Sequence, residues 1–172
     1  MRLKGKILLI YTCLMIVYAI ISILIAEMIN DRVYIETSID LNINIVILII
    51  FLFFFVGSLL DTIFMALLIN IFTVILGVRI KVLKGFLVGA ILNLIINIYF
   101  LLIVVINIGN LSISVLTINQ FKNPLFYLGI LTVGIYVFYT EKRNYKTAIT
   151  IVVVVFIYKL ISSLLAPLLS IS

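Results

Sequence analysis

The chain has 172 residues, of which 66% are hydrophobic and 10% charged; its mean hydropathy is +1.48 and its formal net charge +6 at pH 7. Ordinary globular chains are about a quarter charged, so this composition excludes a soluble fold. At about 20 apolar residues per crossing, the length supplies roughly five or six membrane spans and leaves nothing for a separate catalytic domain.

The positive charge lies in short clusters beside apolar runs, where membrane orientation signals belong, which excludes nucleic acid as a partner. Histidine and tryptophan are absent, and the one cysteine, Cys13, lies inside the first apolar run. An internal disulfide and a His/Cys metal site are thereby excluded, and no cofactor is implied. Cys13 reads as a small apolar packing residue. The abundance of Ile, Asn, Lys and Tyr is the usage of an AT-rich bacterium.

The chain reads as a single all-α membrane domain, 1–172. Its basic start, Arg2, Lys4 and Lys6, precedes an apolar run from Ile7 to Ala26. That run is one full span long and has no small-x-small cleavage site, so it predicts an uncleaved first helix over 7–26. Glu27 to Asp40 carries Glu27, Asp31, Arg32, Glu36 and Asp40 without a sustained apolar stretch, which predicts an exposed acidic loop on the outer side.

From Leu41 to Val78 the chain is apolar except for Asp61. Two short spans turning at Gly57-Ser58-Leu59-Leu60-Asp61 would give six crossings; one long or broken helix over 41–78 gives five. Arg79, Lys81 and Lys84 follow directly, and the charge rule places them inside with the N-terminus only if this stretch crosses once. Five helices, the second long or broken, are therefore expected.

Phe86 to Ile108 forms the next span. Gly109 to Asn123 is a polar loop bearing Ser112, Ser114, Thr117, Asn119 and Gln120. Pro124 opens a span over 124–140, because proline suits the first helical turn, where its missing N–H costs nothing. Glu141 to Lys146 is a charged turn, and Thr147 to Ser170 forms the last span, with Pro167 near its far end. Five crossings with a cytoplasmic N-terminus gather Arg2, Lys4, Lys6, Arg79, Lys81, Lys84, Lys142, Arg143 and Lys146 on the inner face and leave Arg32 and Lys122 outside.

Asp61 and Lys159 are the ionisable residues expected at membrane depth, where a charge costs on the order of 3 kcal/mol on insertion scales. One reading is a buried ion pair between the second and fifth helices that changes partners in a conformational or proton-coupled step. The other places Asp61 at a hydrated helix break and lets Lys159 snorkel to an interface. Small and polar residues recur at helical spacing in the middle helices: Ala66, Asn70, Thr73 and Gly77, then Gly85, Gly89, Asn93 and Asn97. Such stripes are most simply packing faces, where amide bridges contribute about 0.6–2 kcal/mol. The functional alternative is a groove for a lipid headgroup or small solute, with Asn70, Asn93 and Asn97 facing one another.

The clusters Arg79/Lys81/Lys84 and Lys142/Arg143/Lys146 set orientation and are also candidates for anionic lipid or a cytoplasmic partner. Ser162 and Ser163 lie three and four residues after Lys159, the outline of a Ser/Lys dyad. Serines commonly bond their own helix backbone, and no catalytic residue is assigned.

Two stretches carry a resemblance. The first is Leu67 to Gly77 followed by Val78 to Lys84, an apolar helix, a glycine and a short basic link into the next span. The second runs from Asn123-Pro124-Leu125-Phe126 through Gly134 to Lys146-Thr147-Ala148. Together they resemble the bacterial branch of the Yip1 family of small multi-span membrane proteins over roughly half the chain, with Asn93 near a position where many relatives carry proline.

The resemblance implies five membrane helices, a cytoplasmic N-terminus and no catalytic residues. Eukaryotic relatives act with Rab-type GTPases through a long cytosolic region absent from this sequence. Some bacterial relatives look like accessory partners of ABC-type exporters in antimicrobial-peptide defence. The resulting expectation is a non-enzymatic accessory or scaffold protein of the bacterial cytoplasmic membrane. Its partners would be the lipid bilayer and ABC-type transporter subunits or further copies of itself. The rival is a small transporter or lipid- or solute-binding protein with an intramembrane polar site.

Overall fold

Long apolar runs free of proline favour continuous helix, because a chain among apolar surroundings must satisfy each backbone N–H and C=O within the segment itself. The computed structural model describes residues 3–37, 42–75, 77, 80–106, 124–140 and 145–169, with the side chains of 32–37 and 162–169 outside the description. The described residues form five helices, α1 (Leu3–Thr37), α2 (Ile43–Ile75), α3 (Val82–Ile106), α4 (Pro124–Thr140) and α5 (Tyr145–Leu169). The first three are long and apolar enough to cross a membrane, and α4 is a shorter apolar helix. Among the described residues, the all-helical, five-helix architecture expected from the sequence is present.

Two expectations about element boundaries are corrected. Glu27–Asp40 is not a loop through most of its length, because α1 runs on to Thr37. No glycine or proline interrupts 27–37, and propagating an existing helix adds one hydrogen bond per residue fixed, whereas polar side chains do not stop it. Glu27 and Asp31 accordingly stand exposed on the helix surface. The helices α1, α3 and α5 also begin earlier than expected, so Lys4 joins the first turn of α1, and Lys84 and Lys146 belong to first turns rather than to connecting loops.

The second long apolar stretch is one unbroken helix of 33 residues, with no turn at Gly57–Asp61. At 1.5 Å per residue it is about 50 Å long, well beyond the roughly 30 Å of a bilayer's hydrocarbon. Asn42 caps its start, its carbonyl accepting from Ile45 N (3.0 Å) and Val46 N (3.2 Å). Its end is set by Gly77, whose φ of 73° is the left-handed conformation that glycine adopts without a Cβ clash; Gly77 N donates to Val74 O at 3.0 Å.

Helices α2 and α3 form the centre. Each packs on α1 and on the other, while α3 also packs on α4, α2 on α5, and α4 on α5. Two apolar cores result. One joins Leu14, Tyr18 and Ile21 of α1 to Phe54 of α2 and Phe100 of α3. The other joins Met65 and Ile69 of α2 to Val88 and Leu92 of α3, Phe126 and Val133 of α4, and Ile151 and Val155 of α5. The outer faces are equally apolar, with Leu8, Phe53, Ile75 and Ile106 each at least 70% exposed. A surface of that kind is consistent with a membrane location.

Candidate functional site

The small-residue stripes of α2 and α3 meet in antiparallel register. A Cβ added to Gly85 would stand 3.2 Å from the Cα and carbonyl oxygen of Ala66, and one added to Gly89 would stand 3.1 Å from Cγ2 of Thr62. Stepping by four along each helix, Gly85 faces Ala66, Gly89 faces Thr62, and Asn93 reaches Thr62 and Ser58. The glycines bring the backbones close enough for the short side chain of Asn93 to bridge them, the arrangement that small residues permit between membrane helices.

The seam leads into a polar cluster near the midpoints of four helices. Lys159 on α5 places Nζ 2.6 Å from Oδ2 of Asp61 on α2 and 3.1 Å from Oδ1 of Asn93 on α3. The other carboxylate oxygen of Asp61 accepts from the Tyr158 hydroxyl at 2.9 Å. Asn93 donates through Nδ2 to Thr62 Oγ1 (2.9 Å) and to the Ser58 carbonyl (3.4 Å). One turn further along α3, Asn97 donates to the Asn93 carbonyl (2.7 Å) and to the Tyr18 hydroxyl of α1 (3.2 Å). A continuous chain of hydrogen bonds thus runs from α5 through α2 and α3 to α1.

The cluster is enclosed. Thr62 is fully buried, Asn93 nearly so, and the side chains of Lys159 and Asp61 are 9% and 22% exposed. Among the described residues, the Tyr11 hydroxyl and Ser58 Oγ are buried without a hydrogen-bond partner. Hydroxyls elsewhere bond back to their own helix: Thr62 to Ser58 O at 2.8 Å, Thr73 to Ile69 O at 2.8 Å and Ser22 to Tyr18 O at 2.7 Å.

Of the candidate residues named from the sequence, Asp61, Lys159, Asn93 and Asn97 come together here. Asn70 does not: its Nδ2 donates to the carbonyl of Ile80 at 3.2 Å, so it ties the end of α2 to the approach to α3, and the three asparagines do not share one groove. Lys81 supplies the carbonyl that accepts from Lys84 N (2.8 Å) and Gly85 N (3.3 Å), capping α3, and its side chain is exposed. Lys146 is exposed in the first turn of α5. Arg79, Lys142, Arg143 and the 109–123 loop lie outside the described residues, as do the side chains of Ser162 and Ser163.

Tyr11, Tyr18, Ser58, Thr62 and Tyr158 escape a reading based on charge and amides. Two signals point to them: Ser58 and Thr62 extend the four-residue stripe back from Ala66 and bracket Asp61, and Tyr158 adjoins Lys159. Chemically, the cluster holds one carboxylate, one ammonium and several neutral hydroxyl and amide groups, a set suited to charge pairing, proton exchange or helix registration. No protein-family model, curated protein or solved structure matches the chain.

Proposed function

We propose that this chain is a multi-pass protein of the bacterial cytoplasmic membrane, crossing five times with its N-terminus inside. It acts without catalysis, as an accessory or scaffold subunit of a larger membrane assembly. The resemblance to the bacterial Yip1 branch suggests an ABC-type exporter in antimicrobial-peptide defence as that assembly.

One observation carries this reading. The interior ion pair is bound on both sides by partners from the same chain, Tyr158 on Asp61 and Asn93 on Lys159, so the cluster fixes how four helices stand against one another. Buried polar groups that are mutually satisfied specify a unique packing, the property a scaffold needs. The test is affinity recovery of the natively expressed, tagged protein in nanodiscs, with mass spectrometry of what stays bound. Stoichiometric recovery of an ATPase or permease is expected; recovery of the chain alone would overturn the scaffold reading.

A second reading has its own observation. Among the described residues, the hydroxyls of Tyr11 and Ser58 are buried without a partner, Ser58 stands about one turn before Asp61 on α2, and Asp61 keeps 22% of its side-chain surface exposed, the makings of a small polar site for a transported proton or solute. Asp61→Asn and Lys159→Met separate the two: a transporter loses flux with its assembly state unchanged, whereas a scaffold loses assembly.

A further inference from the structure

The direction of each hydrogen bond in the polar cluster follows from its donors. On α2 the Thr62 hydroxyl donates to the Ser58 carbonyl at 2.8 Å, which leaves its oxygen to accept Nδ2 of Asn93 at 2.9 Å. The same Nδ2 reaches the Ser58 carbonyl at 3.4 Å, so the Asn93 amide is fixed with Oδ1 turned to Lys159 on α5. On the carboxylate, the Tyr158 hydroxyl takes Oδ1. Oδ2 of Asp61 and Oδ1 of Asn93 are then two acceptors from two helices that converge on one point. Neither oxygen carries a hydrogen, so the point is suited to a cationic donor.

Lys159 fills that point, with Nζ 2.6 Å from one oxygen and 3.1 Å from the other. These are the separations of N–H donors from oxygen acceptors. Both acceptors nevertheless belong to α2 and α3, whose register is held without α5 by the close approaches of Gly85 to Ala66 and Gly89 to Thr62 and by the bond from Asn93 to Thr62. To this pair α5 brings the Tyr158 hydroxyl and an ammonium on a flexible four-carbon stem. Asp61 is also the more open of the two charged groups, its side chain 22% exposed against 9% for Lys159. An entering cation meets the carboxylate first.

We propose that the α2–α3 seam is a receptor for one primary ammonium group, with Lys159 as its tethered ligand and a small protonated amine as the ligand that exchanges with it. The inference rests on the transport reading and names the class of its solute. Exchange keeps a positive charge against Asp61 throughout, which avoids the uncompensated buried carboxylate that an empty site would leave. The displaced Lys159 carries its charge away along its apolar stem toward the interface. Its bonds to Asp61 and Asn93 are given up together, so binding of the free amine loosens α5 from both helices. A quaternary ammonium has the same charge but no N–H, and it satisfies neither acceptor.

The probe is radiolabelled methylammonium, measured by equilibrium binding to the full chain in phosphatidylcholine nanodiscs. Wild-type protein is expected to bind it saturably, with displacement by unlabelled methylammonium and none by tetramethylammonium. Lys159→Ala removes the tethered competitor and should bind about tenfold tighter, since a resident ligand that fills the site about nine-tenths of the time lowers the apparent affinity by that factor. Asp61→Asn should abolish binding. Thr62→Val keeps both charges and only unfastens the Asn93 amide; it should weaken binding severalfold, and it serves as the test should either charge variant not fold. No binding to wild-type protein overturns the proposal. So does binding that survives Asp61→Asn, or that tetramethylammonium displaces equally well. Uptake of methylammonium into proteoliposomes tests the transport reading separately: binding without uptake overturns that reading and leaves the receptor, whereas uptake of protons or another solute without methylammonium binding overturns the receptor alone.

Discussion

Asp61 on α2 and Lys159 on α5, 98 residues apart in sequence, form a 2.6 Å ion pair, and Asn93 of α3 joins it as a second acceptor for the same ammonium. Three helices are thereby tied at one point, and the fourth, α1, is tied through Asn97 and Tyr18. Single charges at such a position cost more than the pair does, because each alone would be desolvated without compensation.

Removing one partner should therefore cost more than removing both. Asp61→Asn or Lys159→Met alone is expected to lose about 3 kcal/mol, the lower end of the range for broken buried pairs, since Asp61 is partly exposed. Asp61→Leu combined with Lys159→Met should lose less than either single change. Denaturant unfolding in mixed micelles, arranged as a double-mutant cycle, measures the coupling. Strictly additive losses would show that the pair contributes no net coupling.

The glycines of α3 offer a contrast with the glycine of α2. Gly85→Ala pushes a methyl to 3.2 Å from the backbone of Ala66, which cannot give way as a flexible side-chain end would, and should cost about 1–3 kcal/mol. Gly57, in mid-helix with open space around it, should behave oppositely, since alanine improves helix propensity: a gain of about 0.4–1 kcal/mol is expected. Thermal unfolding of the two variants in the same detergent checks both signs. A destabilised Gly57→Ala would contradict the open space around Gly57.

How much of this was legible beforehand depends on the residue type. Asp61 and Lys159 stand out because each is an isolated charge in an apolar run, and the small-residue stripes stand out because their spacing matches the helical repeat. Tyr18 and Tyr158 do not, since tyrosine in an apolar run is as well explained by burial of its ring as by its hydroxyl. Asn70 shares the stripe's spacing with Ala66 yet serves the turn, because it lies close to the end of α2 rather than mid-helix. The boundary of α1 is hidden for a different reason: hydropathy reports where lipid would end, whereas a helix propagates past that point because each further residue adds a hydrogen bond.

Asn93 and Asn70 should accordingly separate in their effects. Asn93→Leu removes the bonds to Thr62 and the Ser58 carbonyl and deprives Lys159 of an acceptor; a loss of about 1–3 kcal/mol is expected, strongly non-additive with Lys159→Met. Asn70→Ala should lose about 0.6 kcal/mol, the mean for a hydrogen bond between membrane helices, and should add independently to Lys159→Met. The four-member cycle on unfolding free energy decides it. Coupling between Asn70 and Lys159 as large as that of Asn93 would contradict the separation seen in the bonds.

Orientation is the remaining prediction, and it follows from where the basic residues sit on the helices. Lys4 and Lys146 lie in the first turns of α1 and α5, and Lys81 immediately precedes α3. If each helix crosses once, alternate helices start from the same side, so these three lysines share one compartment, and the positive-inside rule makes it the cytoplasm. In a Cys13→Ser background, which removes the sole native thiol, Lys4→Cys, Lys81→Cys and Lys146→Cys should all resist a membrane-impermeant maleimide added to intact cells and react once the membrane is opened. Labelling of Lys81→Cys alone from outside would mean that α2 does not cross with α1. Because α2 is a continuous helix of 33 residues, that result would require it to lie along the bilayer surface, with the ion pair to α5 displaced from the membrane interior.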